Sequence, residues 1–317
     1  MTGTALLFRN RIVPVLLFSL LALVPVYASL TDDRFILLFF TRILVLAIAA
    51  VSLDFILGLG AMVSFGHAAY LGLGAYAVGI LAESDIWDAW ISLPVAVLVS
   101  GLFALVTGAI SLRTRGVYFI MITLAFGQMA YFTATSLSAY GGDDGLTLWG
   151  RSEFFGTGLF SGDTSFYYLV FAVLLAATLL LKRIAASRFG RVLKGARQSE
   201  ARLHAIGIDP YRYRLAAYVI AGMIAGLAGA LMANQSEFVS PAYMSWQRSG
   251  ELIVMVILGG LGSLHGAILG AIAYLALEEV LAGYTEHWRL IFGPLLILVV
   301  LYGKGGLLGL IKGGEKS

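Results

Sequence analysis

Apolar runs long enough to cross a bilayer recur from one end of this chain to the other, and they fix the solvent it is built for. A spanning helix needs about 20 mostly apolar residues. Ten runs approach that length, at about 12–30, 35–57, 59–82, 89–111, 116–138, 165–181, 213–235, 250–264, 266–281 and 288–303. Only 12% of residues are charged against 60% apolar. Mean hydropathy is +0.91. A soluble domain carries roughly 25% charged residues, so this chain has too little polar surface to cover a water-soluble globule. The expected fold is all-α: one polytopic transmembrane helical bundle over residues 1–317, with eight to ten spans and no sizeable extramembrane domain. The eighth and ninth runs are short and read equally well as a hairpin that does not fully cross. Near the N-terminus, Arg9 and Arg11 precede the first run, and Val26-Tyr27-Ala28 loosely resembles a cleavage site. A signal peptide is the alternative reading there, although about 19 apolar residues suit a span better than a signal core.

The basic residues orient the bundle. With the N-terminus placed in the cytoplasm and the runs alternating, all 21 Lys and Arg except Arg34, Arg42, Arg151, Arg248 and Arg289 fall on the cytoplasmic side. Both termini are therefore expected in the cytoplasm. An outside loop at about 139–164 is rich in Gly, Ser and Asp. An inside stretch at about 182–212 is basic, and Phe189, Val192, Leu193, Ala196, Leu203 and Ile206 recur at near-helical spacing. This reads as one or two short amphipathic helices that rest on anionic lipid or dock a cytoplasmic partner.

Glycine clusters inside the runs. Residues 58–74 are the densest stretch, with Ser64, His67 and Tyr70 among the glycines. Small residues let helix backbones approach closely. They also permit helix breaks, which membranes tolerate only against protein or a water-filled cavity. Transporter substrate sites are often built at such breaks. Ser64, Gly66, His67, Tyr70 and Gly72 are accordingly the pathway candidates. Gly262, Gly266 and Gly270 share one helical face, as do Gly222 and Gly226, and this spacing is first a packing signal. The runs 58–74 and 259–270 look loosely alike, a hint of internal duplication. Ionisable residues at membrane depth are few: Arg42, Asp54, Glu251, Glu278 and Glu279.

Several classes are excluded. With no cysteine, there is no disulfide, thiolate metal site or thiol catalysis. His67, His204, His265 and His287 are scattered without metal-ligand spacing, and neither HExxH nor Gly-x-Ser-x-Gly occurs. Gly303-Lys304-Gly305-Gly306 lacks the phosphate-loop pattern, so any ATP is bound by another subunit. No metal, cofactor or catalytic residue is expected, and nothing suggests nucleic acid.

Four stretches carry a family likeness. They are Leu53–Tyr76 (LDFILGLGAMVSFGHAAYLGLGAY), Leu112–Gln128 (LRTRGVYFIMITLAFGQ), Gly141–Leu146 (GGDDGL) and Ser187–Ile208, running on to Leu227–Leu231. In this order they resemble the M-type permease subunits of branched-chain amino-acid ATP-binding-cassette importers, the LivM-like proteins. Departures are Arg202-Leu203 for a common double alanine, His204 for an acidic residue and Tyr140 for threonine. The resemblance implies that residues 187–209 form a loop coupling to an ATPase, with Arg191, Arg197, Glu200, Gly207 and Asp209 as the candidate contacts. It also implies a second permease subunit, two cytoplasmic ATPases, an extracytoplasmic solute-binding protein and a place in the bacterial cytoplasmic (inner) membrane, in contact with lipid. Branched-chain amino acids are the default cargo, with urea and short amides carried by similar permeases. The competing reading is an ion- or proton-coupled secondary amino-acid carrier using Asp54 or Glu251.

Overall fold

The computed structural model describes residues 3–285 except 155, 157, 159 and 160, then 287, 290–294, 296, 297 and 305–311, with side chains over 14–309 of these. The helices are α1 (Gly3–Thr31), α2 (Arg34–Gly60), α3 (His67–Glu83), α4 (Ala89–Ser111), α5 (Val117–Ser136), α6 (Asp163–Ala186), α7 (Arg188–Gln198), α8 (Glu200–Ala205), α9 (Pro210–Ser236), α10 (Trp246–Gly259), α11 (Leu264–Tyr284) and α12 (Gly306–Ile311). Among the described residues, seven helices are long and apolar enough to cross a membrane: α1 from Pro14, α2, α4, α5, α6, α9 and α11. The chain is a polytopic membrane protein. The eight to ten spans expected from sequence also counted α3, with 17 residues, and α10, with 14. They counted the run 288–303 as well, which falls largely outside the described residues.

α2 is apolar on every face and is buried on every face, from Ile43 to Ile56. It is the mast of the bundle. α9, α6, α11, α10, α7 and α1 surround it, and α3, α4 and α9 pack mutually against one another. α1 is tied to α6 where the Tyr167 hydroxyl donates to the Leu21 carbonyl at 2.6 Å. Glycines set the closest contacts. A side chain at Gly229 would collide with the Leu71 carbonyl of α3, and one at Gly74 with the Gly226 carbonyl of α9. Gly266 and Gly270 of α11 face the α10 backbone at Gly259 and Met255.

Three sequence expectations need correction. The run 59–82 is not one helix. α2 ends at Gly60, Ala61 takes a left-handed conformation at φ 53°, and α3 starts only at His67. Apolarity alone does not reveal this break, because residues 61–63 are as apolar as the helices beside them. The run 250–264 is shifted: α10 begins at Trp246, capped by Ser245, and stops where Gly260 and Gly262 adopt φ 115° and 77°. The inside stretch is shorter than 182–212, because α6 continues through Lys182 and Arg183 to Ala186 and Asp209 caps α9 at Pro210.

The repeat that the structure displays lies elsewhere than in the two glycine runs. α2 and α9 are both 27 residues long, and both end on a left-handed non-glycine cap, Ala61 or Glu237 (φ 50°). Each is followed by a non-α-helical segment and then a shorter helix, α3 or α10. The second segment includes a strand, Phe238–Val239, and a 3-10 turn, Pro241–Met244. The two units run in opposite directions through the bundle, the arrangement of inverted repeats in transporters.

The bundle has a basic and an acidic end. At the acidic end, residues 146–153 are held down rather than loose. Leu146 and Thr147 pair antiparallel with Val239 and Phe238, and the Ala89 amide donates to the Glu153 carbonyl at 2.7 Å. Arg151 is the hub. It pairs with Asp163 at 2.7 Å, lies 3.6 Å from Glu237, donates to the Asn234 carbonyl at 3.2 Å, and sits over the Phe166 ring. Asp163 also receives Arg34 at 2.6 Å. These bonds join the ends of α2, α6 and α9.

Candidate translocation and coupling sites

The break after α2 is a short irregular segment along which burial alternates. Met62, Ser64 and Gly66 point inward and are buried, whereas Ala61, Val63 and Phe65 face outward to varying degrees. The inward residues meet a hydroxyl-rich network. Ser64 Oγ lies 3.3 Å from the Tyr218 hydroxyl, and Thr123 Oγ1 accepts from the Phe65 amide at 3.2 Å. The first turn of α3 is completed by α10: Ser249 Oγ accepts from the Ala68 amide at 3.0 Å. The N-termini of the two break helices therefore meet inside the bundle.

His67 is fully buried and lies 2.8 Å from Ser52 Oγ. Ser52 has one proton and donates it to the Ala49 carbonyl at 2.7 Å. The hydroxyl therefore accepts from His67, which must carry its proton on Nε2. By the same reasoning Thr107, which donates to the Phe103 carbonyl at 2.8 Å, accepts from the Tyr70 hydroxyl at 3.0 Å. The Tyr70 ring meets His67, Phe103 and Tyr218 edge to face.

Of the pathway candidates, Ser64, His67 and Tyr70 thus belong to one network buried within this single chain. Gly66 lies against the Thr123 carbonyl of α5, and Gly72 lies under Met244. Ser52, Thr107, Thr123, Tyr218 and Ser249 complete the network, and sequence reading missed them. Isolated hydroxyls in apolar helices carry no spacing signal. Gly72 offers a direct check. A methyl group there overlaps Met244, and overpacking of this kind costs about 1–3 kcal/mol. Gly72→Ala is expected to lower the thermal midpoint of the purified protein, and adding Met244→Ala to recover most of the loss. Failure to recover would exclude this contact as the cause.

At the basic end, α7 lays Leu193 and Ala196 inward, and α8 lays Leu203 inward. Ile206, expected on the same buried face, is instead 69% exposed. α8 stops at Ala205, so Ile206 falls in the closing turn, where Gly207 takes φ 76°. The coupling candidates divide. Arg197 donates to the Gly58 carbonyl near the end of α2, where a cation also suits the helix dipole. Glu200 bridges Arg115, from the α4–α5 link, and Arg214 of α9. Arg191 reaches only the Ala186 carbonyl, at 3.4 Å. Asp209 caps α9 by accepting from the Tyr211 amide at 3.0 Å. Beside Gly58, Asp54 Oδ1 accepts from the Gly262 amide at 2.7 Å. The α10–α11 turn thereby joins the same junction. Among the described residues no group of His, Cys, Asp and Glu forms a metal site.

A match to the branched-chain amino acid transport system permease component family covers residues 35–301. The chain belongs to that family. Two kinds of relative in this permease family were found. One is the high-affinity branched-chain amino acid transport system permease protein LivM of Salmonella typhimurium, 28% identical over 295 residues, covering 86% of this chain and 69% of the relative. The other is LivH of the same organism, 23% identical over 283 residues, with 83% and 91% covered. A probable LivM from Methanocaldococcus jannaschii is 24% identical over 233 residues, 67% of each chain. No solved structure matches the chain. As a member of this family the protein is a transport permease.

Proposed function

We propose that the whole chain acts as one permease domain of an ATP-driven importer, carrying branched-chain amino acids inward in the company of a second permease, two ATPases and an extracytoplasmic solute-binding protein. The basic end, with both chain termini, faces the cytoplasm. The excess of Lys and Arg there supports this orientation. The cargo assignment rests on the names borne by the LivM and LivH relatives.

The coupling assignment rests on one observation: α7 and α8 are bonded to three core elements at once. Arg197 holds α2, and Glu200 holds both the α4–α5 link and α9. An ATPase pressing on α7–α8 would therefore move the end of α2, and with it the segment 61–66. The pathway candidates Ser64, Gly66, His67, Tyr70 and Gly72 act by fixing that segment, while Ala61, Val63 and Phe65 face the path. Arg191 and the exposed Ile206 offer the ATPase a charge and an apolar knob. Gly207 and Asp209 set the turn that presents them. Of the two groups a secondary carrier would use, Glu251 is paired with Arg248 at 2.7 Å, and Asp54 accepts from the Gly262 amide through one oxygen while its other oxygen has no partner.

The native chain has no cysteine, so one introduced at Ile206 is unique. Ile206→Cys is expected to crosslink to a single cysteine placed on the co-expressed ATPase, in vesicles that retain uptake. Uptake without any crosslink, at every ATPase position tried across its permease-facing surface, would exclude this contact.

A further inference from the structure

Beneath the segment 61–66 the basic end holds a half-open cleft of about 150 Å³. Its composition is divided. Leu112, Phe119 and Ile120 join Met62 and Val63 of the break to form an apolar wall, and Arg115, Glu200 and Arg214 form a charged floor. Exposed Ala61, Arg115 and Gly116 mark its rim. Drug-sized ligands occupy roughly 300–1,000 Å³, so this room suits a solute well below that size.

The floor is not electrostatically complete. Two guanidinium groups share one carboxylate. Arg214 spends one terminal nitrogen on Glu200 and the other on the Ala196 carbonyl, at 3.2 Å. Its Nε–H is buried and has no acceptor. Arg115, whose side chain is largely exposed, keeps further N–H donors for a carboxylate entering the cavity, and Glu200 is present to take an ammonium group. The apolar wall leaves room for a short aliphatic side chain.

We infer that this cavity is a transit site for an aliphatic α-amino acid in its zwitterionic form, the last one occupied before release. The carboxylate goes to Arg214 and Arg115, the ammonium to Glu200, and the side chain lies against Val63, Phe119 and Ile120. The inference rests on the import reading above and adds to it a location and a mode of recognition. Because Glu200 also holds α8, movement of the coupling helices would open the floor of the site that the solute occupies.

The test uses the assembled transporter in inside-out membrane vesicles. Ile120→Cys and Val63→Cys each supply the only thiol in this chain. Each is labelled with a small cationic methanethiosulfonate, with and without saturating l-leucine. Leucine is expected to slow labelling by at least about threefold, as mass action requires once most sites are filled. Leucinol, which keeps the ammonium and side chain but lacks the carboxylate, is expected to give little protection. Equal labelling rates with and without leucine, in vesicles that retain ATP-driven leucine transport, would overturn the site. Equal protection by leucinol would overturn the assignment of the arginines to the carboxylate. Absence of ATP-driven leucine transport with the unmodified chain overturns the import reading, and the site with it.

Discussion

Gly66→Leu is expected to yield almost no monodisperse protein in mild detergent, and Gly66→Ala a much reduced amount. The reason is that the Cβ of any side chain at this position runs into the Thr123 carbonyl of α5, a backbone atom that cannot rotate away. Relief requires α5 to move as a unit, and with it the bond from the Phe65 amide to Thr123. Overpacking usually costs about 1–3 kcal/mol when side chains can adjust, and a rigid backbone neighbour puts this case at or above the upper limit. That is a large part of the 5–15 kcal/mol by which a typical protein is stable. Fluorescence-detected size exclusion of the tagged variants measures it directly. From sequence alone, a bulky residue here would be expected to obstruct the pathway in a normally assembled complex. Normal assembly of Gly66→Leu with loss of uptake alone would restore that view.

The second large effect is at the acidic end. Arg151→Ala is expected to cost about 3–5 kcal/mol, the usual penalty for removing one partner of a buried ion pair. Arg151 is only 7% exposed, and its loss also frees the Asn234 carbonyl and the face of Phe166. Arg34→Ala removes a pair with the same Asp163, but Arg34 is 76% exposed. Exposed pairs contribute about 0–1 kcal/mol, so that variant should be nearly silent. Thermal midpoints of the two purified variants separate these cases. Equal shifts would mean that Arg151 is not the hub of this end.

The general architecture is legible in the sequence because hydrocarbon admits so few solutions. Runs of apolar residues locate the helices, and the distribution of Lys and Arg separates the ends. The breaks are not legible in this way. Ala61 and Glu237 adopt left-handed conformations that neither residue type favours. The buried network is equally hidden, since Ser52, Thr107 and Ser249 lie far apart in sequence and none belongs to a motif. Glycine gave a mixed signal. Its density at 58–74 pointed to a special segment, yet most of these glycines serve close backbone contacts with α5, α9 and the α10–α11 turn. At the basic end, the amphipathic pattern located α7 and α8 but misplaced Ile206, because periodicity continues through a turn that Gly207 has already ended.

The complete enclosure of α2 also bears on how the protein is made. α2 enters the membrane early in synthesis, whereas α9 and α11, which cover it, emerge long afterwards. Its leucines and isoleucines lose nothing in the interval, because lipid tails solvate them as well as protein does. Only its polar groups are out of place: Ser52 awaits His67, and Asp54 awaits the amide of Gly262, 208 residues later. A stalled or truncated chain therefore advertises its incompleteness through an unpartnered carboxylate in hydrocarbon rather than through exposed apolar surface. Asp54 thus gains its hydrogen bond to the Gly262 amide only once the α10–α11 turn is in place.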